Sequence, residues 1–134
     1  MDESTRAALR AIPLFADLGE EALGRLSERT TPFEARAGRV LVEIGQPGAG
    51  LFVVETGEVE VERPGGRTAV LGPGAFFGEV ALLTDRPRTA RVRAKTDVRC
   101  RALARSDFAQ LLHDHPSIAV AMLPVLAERL SDPP

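Results

Sequence analysis

Apolar residues recur at helical spacing across residues 4–30, with Ala8, Leu9 and Ile12 on a first stripe and Leu18, Ala22, Leu23 and Leu26 on a second. Pro13 interrupts the pattern, and Asp17-Leu-Gly-Glu-Glu21 carries a helix-start signal. The spacing therefore predicts one short helix, a break at Pro13–Phe15 and a second helix ending near Arg29. From Thr31 to Ala104 the texture changes to short β-branched runs divided by glycine and proline. Val40–Glu43, Leu51–Glu55, Gly57–Glu62, Thr68–Leu71, Thr89–Ala94 and Val98–Ala104 each read as a strand. Val59-Glu-Val-Glu62 alternates apolar with charged residues, as a half-buried strand does. Pro64-Gly-Gly66 reads as a hairpin, Gly45-Gln-Pro-Gly-Ala-Gly50 as a tight loop, and Gly72-Pro-Gly74 as the end of a strand. Helical spacing then returns. Ser106 is the expected N-cap of a helix over Asp107–Asp114, with Phe108, Leu111 and Leu112 on one face. Pro116 sits in the first turn of a last helix to about Leu130, whose apolar face carries Ile118, Met122, Val125 and Leu126. Pro124 removes a hydrogen bond inside that helix and is expected to kink it, and Ser131-Asp-Pro-Pro134 stops it.

This order of elements predicts a mixed α+β, mainly β chain: helices over 1–30, a small antiparallel barrel or jelly roll over 31–104, and helices over 105–134. A chain of 134 residues can bury one core without staples, so 1–134 is expected to form a single domain. Its 17 basic and 19 acidic residues are mixed along the chain and give a net charge of −2, which argues against general nucleic-acid or membrane-surface binding. No apolar run approaches the roughly 20 residues of a membrane span, and the polar start Met1-Asp-Glu-Ser-Thr-Arg6 lacks an apolar signal core, so a cytoplasmic location is expected. His113 and His115 lack the partners of a metal site, and no metal or catalytic residue is assigned. Cys100 lacks the companions of a thiol nucleophile and is expected to be a buried or half-buried structural thiol. Arg86, Arg88, Arg91, Arg93, Arg99, Arg101 and Arg105 fall largely at alternate positions, the pattern of a solvated strand face.

The stretch Gly74-Ala-Phe-Phe-Gly-Glu-Val-Ala-Leu-Leu83, followed by Pro87-Arg-Thr-Ala-Arg-Val92, concentrates the candidate chemistry. Gly78-Glu-Val-Ala-Leu-Leu83 is long enough for a single helical turn, whose first N–H groups have no intrahelical partner and favour an anion. Gly78 lets the backbone approach a ligand closely, Glu79 can accept a hydrogen bond from a hydroxyl, and Arg88 can hold phosphate oxygens through two parallel bonds. The combination suits a small sugar phosphate and supplies no general base aimed at a water or a nucleophile, so an enzyme is not expected.

These residues resemble the phosphate-binding cassette of the cyclic nucleotide-binding domain family, the sensor fold of catabolite activator protein-like regulators. The resemblance extends from Ile12-Pro-Leu-Phe15 and Leu18 through Gly38, Gly45 and Gly57-Glu-Val59 to Ser106, Phe108 and the helix ending Ala127-Glu-Arg-Leu130. It implies an eight-stranded antiparallel β-roll, jelly-roll-like, with N-terminal helices, a short phosphate-binding helix and two C-terminal helices. It further implies a cyclic nucleotide as ligand, with no other cofactor: Glu79 on the ribose 2′-OH, Arg88 on the exocyclic phosphate oxygens, and Phe77, Gly78, Val80, Ala81, Thr89 and Ala90 completing the shell. Val61, Val70 and Arg129 are the candidate base contacts, and for Arg129 an ordinary solvated arginine is the competing expectation. Thr89 is compatible with cyclic AMP and cyclic GMP. Where many members carry an acidic residue after the loop glycine, this chain has Ala49-Gly-Leu51. The expected function is a receptor or regulatory module that signals when the C-terminal helix closes over the base. It would act on an effector in trans or on a fused domain, as a monomer or as a weak dimer through the last helix. The alternatives are an interaction domain of this fold that binds no ligand, and the sensor part of a transcription regulator whose DNA-binding domain is absent.

Overall fold

The computed structural model describes residues 3–46, 50–84 and 90–131. Helices α1 (Glu3–Arg10) and α2 (Glu20–Arg29) flank a 3-10 turn at Pro13–Phe15, in agreement with the break predicted there. Glu20 and Glu21 occupy the first turn of α2 and Arg29 its last, the charge order that the helix dipole favours. Glu20 also pairs with Arg6 and Arg10, tying α2 back to α1.

Eight strands follow: β1 (Thr30–Ala35), β2 (Val40–Val42), β3 (Gly50–Thr56), β4 (Val59–Glu62), β5 (Thr68–Leu71), β6 (Phe76–Phe77), β7 (Arg91–Ala94) and β8 (Val98–Ala104). They form two antiparallel four-stranded sheets, ordered β1-β8-β3-β6 and β2-β7-β4-β5. The chain then ends in α4 (Arg105–Asp114) and α5 (Pro116–Ser131), with the six-residue helix α3 (Glu79–Thr84) inserted after β6. Mainly β architecture with helices at both ends is thus the observed class. Two details of the C-terminal end differ from expectation. α4 begins at Arg105 with Ala104 in the capping position and no side-chain cap, so Ser106 lies inside the helix instead of capping it. Its first turn gains Asp107, which receives a 2.8 Å bond from Arg29 of α2.

Two hydrophobic clusters share the chain. Leu9, Phe15, Leu23 and Leu26 from the N-terminal region join Leu51, Val53, Phe76, Leu103, Phe108, Ile118 and Met122, so the helices cover one face of the first sheet. Val42, Val54, Val59, Phe77, Val92, Val98 and Cys100 form the other cluster, between the sheets. Side chains on a strand alternate between faces, so Val53 and Val54 in β3, and Phe76 and Phe77 in β6, serve different cores. Burying each large side chain contributes about 1.5–3 kcal/mol.

Charge is handled by pairing. Arg91 bonds Glu43 at 2.8 Å, and Arg99 reaches both Glu34 and Glu55. Arg101 departs from the expected solvated face: it is only 5% exposed, pairs with Glu55 and donates to the Thr30 hydroxyl. Direct β-ladder neighbours explain this, since Arg101 faces Val53 in β3 and Pro32 in β1 on a central strand, away from water.

Candidate functional site

β6 delivers the chain to the boundary between the two cores. Phe76 is buried on the helix side, and Phe77 is buried between the sheets, where its ring stacks on Phe52 at 5.1 Å. Phe33 meets Phe52 edge-on at 5.7 Å. Gly78 then adopts φ 91°, a left-handed conformation that glycine takes without strain, and turns the chain into α3. Glu79 opens α3, with Val80 and Ala81 beside it in the first turn.

Glu79 is 5% exposed, which for a carboxylate demands partners. They come from α5. Arg129 Nη1 donates to both carboxylate oxygens, at 2.7 and 2.8 Å, and Nη2 donates to the Phe76 carbonyl oxygen at 2.6 Å. The guanidinium also lies 4.5 Å from the centroid of the Phe76 ring, a cation–π contact. Arg129 is thus not an ordinary solvated arginine: its side chain is 20% exposed and bonded to Glu79 and Phe76. Glu79 and Arg129 stand 50 positions apart, and no local pattern announces their pairing.

The other candidate residues separate by face. Val61 packs against the inter-sheet cluster and pairs with Ala69 and Val92. Val70 does not share that face. It lies opposite Glu60 and is 43% exposed, while its neighbour Leu71 packs inward; period-two alternation therefore points Val70 away from the inter-sheet space. Ala90 is half-buried in a bend immediately before β7. Arg88 and Thr89, with Thr89 as the predicted first residue of a strand, lie outside the described residues, as do Pro47-Gly-Ala49 of the expected tight loop.

Cys100 is fully buried in β8, and burial pushes its thiol up to about 11, with the charge of Glu55 adding to the rise. A thiol held neutral there behaves as a small apolar side chain. Among the described residues, no helix is long and apolar enough to cross a membrane.

A cavity of about 360 Å³ lies beside Arg129, walled by Pro13 and Leu14 of the 3-10 turn, Gly74 to Phe76, and Ala121, Val125 and Arg129 of α5. The Arg129 bonds tie α5 to β6 and α3, beside the half-buried Val125 and Leu126 that pack against the helix-side core.

Two antiparallel sheets with helices on one face of the first, and a Gly-Glu corner leading from β6 into a short helix, define a β-roll fold. The profile described as "Cyclic nucleotide-binding domain" matches residues 32–115, and the chain belongs to that family. It is 42% identical over 123 residues to a cyclic nucleotide-gated potassium channel from Mesorhizobium japonicum, covering 89% of this chain and 33% of the channel. To a cAMP-dependent protein kinase regulatory subunit from Yarrowia lipolytica it is 38% identical, over 78% of this chain and 28% of that protein. Among solved structures, the N-terminal domain of a transcriptional regulator from Streptomyces coelicolor A3(2) superposes with a TM-score of 0.67 at 38% identity, covering 92% of this chain and 91% of that one. The chain thus spans about a third or less of the two curated relatives just named.

Proposed function

We propose that this chain is a cyclic nucleotide receptor domain that regulates another protein or domain and carries out no reaction itself. The observation that carries this is the extent of the family match: residues 32–115 include the whole cassette from Gly74 to Val92. The relatives are named for gating by, dependence on or activation by a cyclic nucleotide. In this reading the ribose 2′-OH bonds Glu79, the exocyclic phosphate bonds Arg88, and backbone N–H groups near Ala81 and Thr89 complete the phosphate shell. Phe77, Gly78, Val80 and Ala90 shape the pocket, and Val61 is the base contact whose placement the inward face supports. Cyclic AMP is the expected ligand, with cyclic GMP compatible with Thr89. The output is a change in how α5 sits on the roll, received by an effector in trans or by a fused domain in the cytoplasm.

Substitution of the carboxylate tests the ribose assignment. Glu79→Gln keeps the shape but replaces a charged acceptor with a neutral one, and a hydrogen bond to a charged group contributes about 1.5–3 kcal/mol. Titration should show cyclic AMP binding weakened by roughly tenfold or more, with the 2′-deoxy analogue much less affected. Equal losses for both ligands would remove Glu79 from the ribose.

A further inference from the structure

Ala121, Val125 and Glu128 stand at i, i+4 and i+7 on α5, so they share one stripe of the helix, and all three line the cavity of about 360 Å³ beside the 3-10 turn. Pro13 and Leu14 supply apolar wall from that turn. Gly74 brings the chain after β5 against Pro13: its φ is 89°, and a Cβ there would lie 2.9 Å from Pro13 Cδ, so these two segments are already in contact. The helix is held as well. Ile118 and Met122 are buried in the helix-side core, Val125 and Leu126 pack against it, and Arg129 is bonded to Glu79 and Phe76. α5 therefore cannot settle into the space, and Ala121 is too small to fill it. Small-molecule sites have volumes of about 300–1,000 Å³, with apolar walls and a few polar groups, and the cavity fits that description.

The polar groups at the cavity set the sign of what it takes. Arg129 is neutralised by Glu79, whereas the Glu128 carboxylate is exposed and has no hydrogen-bond or ion-pair partner among the described residues. The wall thus carries the net charge of Glu128. We propose that this cavity is a ligand site separate from the cassette, taking a small primary amine whose apolar or aromatic body lies against Pro13, Leu14 and Val125 and whose ammonium group pairs with Glu128. A neutral ligand of the same shape leaves the carboxylate without a partner, and an anionic one meets a like charge, so the site discriminates by charge as well as by fit. The cavity adjoins Phe76 on the helix side of β6, whereas Phe77 and Val61 belong to the inter-sheet side. The amine site therefore does not rest on the receptor reading.

The test is a titration of the full chain with 2-phenylethylamine, 2-phenylethanol and 3-phenylpropionate, followed by amide NMR, which reads affinity and location together. The native chain should bind the amine saturably, with the largest shifts at Leu14, Ala75, Ala121 and Val125. The alcohol should bind about two- to fivefold more weakly, the effect of one solvent-accessible ion pair, and the carboxylate more weakly still. Glu128→Gln should bring the amine down to the affinity of the alcohol and leave the alcohol unchanged. Ala121→Phe, which fills the space, should remove binding of both. Both substitutions fall at exposed positions of α5, and thermal melting reports that each variant is folded. No saturable binding of the amine would overturn the proposal. So would equal binding of the amine and the carboxylate, shifts centred on Val61 and Glu79 instead, or amine binding unchanged in either variant. Titration of the same native sample with cyclic AMP reads the receptor proposal separately, so either can fail while the other stands.

Discussion

At Gly57 the backbone has φ 85°, and a Cβ built there would drive into the Asp97 carbonyl oxygen and come within 2.9 Å of Val98 Cγ1. Gly65, with φ 92°, has nothing within 4 Å of the same position. The two glycines separate strain from collision. Gly65→Ala should lower stability by about 1 kcal/mol, the cost of a left-handed alanine. Gly57→Ala should cost at least about 2 kcal/mol more, because backbone and not a flexible side chain blocks the space. Urea unfolding measures both, and equal losses would mean that the Gly57 turn relaxes freely. The Gly65 turn was legible in the sequence, where Pro64-Gly-Gly66 reads as a hairpin, whereas Gly57 is expected at the start of a strand and instead turns the chain between β3 and β4. The Glu79–Arg129 bond was not legible, because it joins residues 50 positions apart and depends on how α5 crosses β6. The outward face of Val70 is not legible for a related reason: four residues of β5 show a face only once their partners in β4 are known.

Elements were legible in proportion to their length and regularity. The alternation in β4 and the helical stripe of α2 were plain, whereas β6 has two residues and no period. β1 escaped notice because Pro32 and Glu34 interrupt it. Its place at the edge of the first sheet, beside β8 alone, accommodates a residue without an N–H. α5 follows the predicted span from Pro116, and its two sides make opposite predictions. Met122 is 2% exposed in the helix-side core, and Met122→Ala should cost about 2–5 kcal/mol through the cavity it leaves. Leu123, one position on and 61% exposed, should tolerate alanine within about 0.5 kcal/mol. Denaturation of the two variants checks the helix's orientation, and a larger loss at Leu123 would mean that its face is covered by something in solution.

On the scale of the whole molecule, the first sheet divides a helix-side core from an inter-sheet core, and the cassette starts where β6 contributes one phenylalanine to each. A ligand held at Glu79 would therefore act at the seam between the roll and the helices, and Arg129 crosses that seam. Charge, glycine and spacing are local, so Gly78, Glu79 and Arg88 suggest a small sugar phosphate from the sequence alone. The direct bond from Glu79 to Arg129 of α5 emerges only from the fold.

Calorimetric titration of the native chain and of Arg88→Ala with cyclic AMP and cyclic GMP bears most directly on the central claim. The native chain is expected to bind at least one of the two nucleotides at sub-millimolar concentration. Arg88→Ala should lose about ten- to a few hundred-fold in affinity, the effect of removing one charge-assisted phosphate contact. No binding by the native chain, or binding unchanged by the loss of Arg88, would contradict the account.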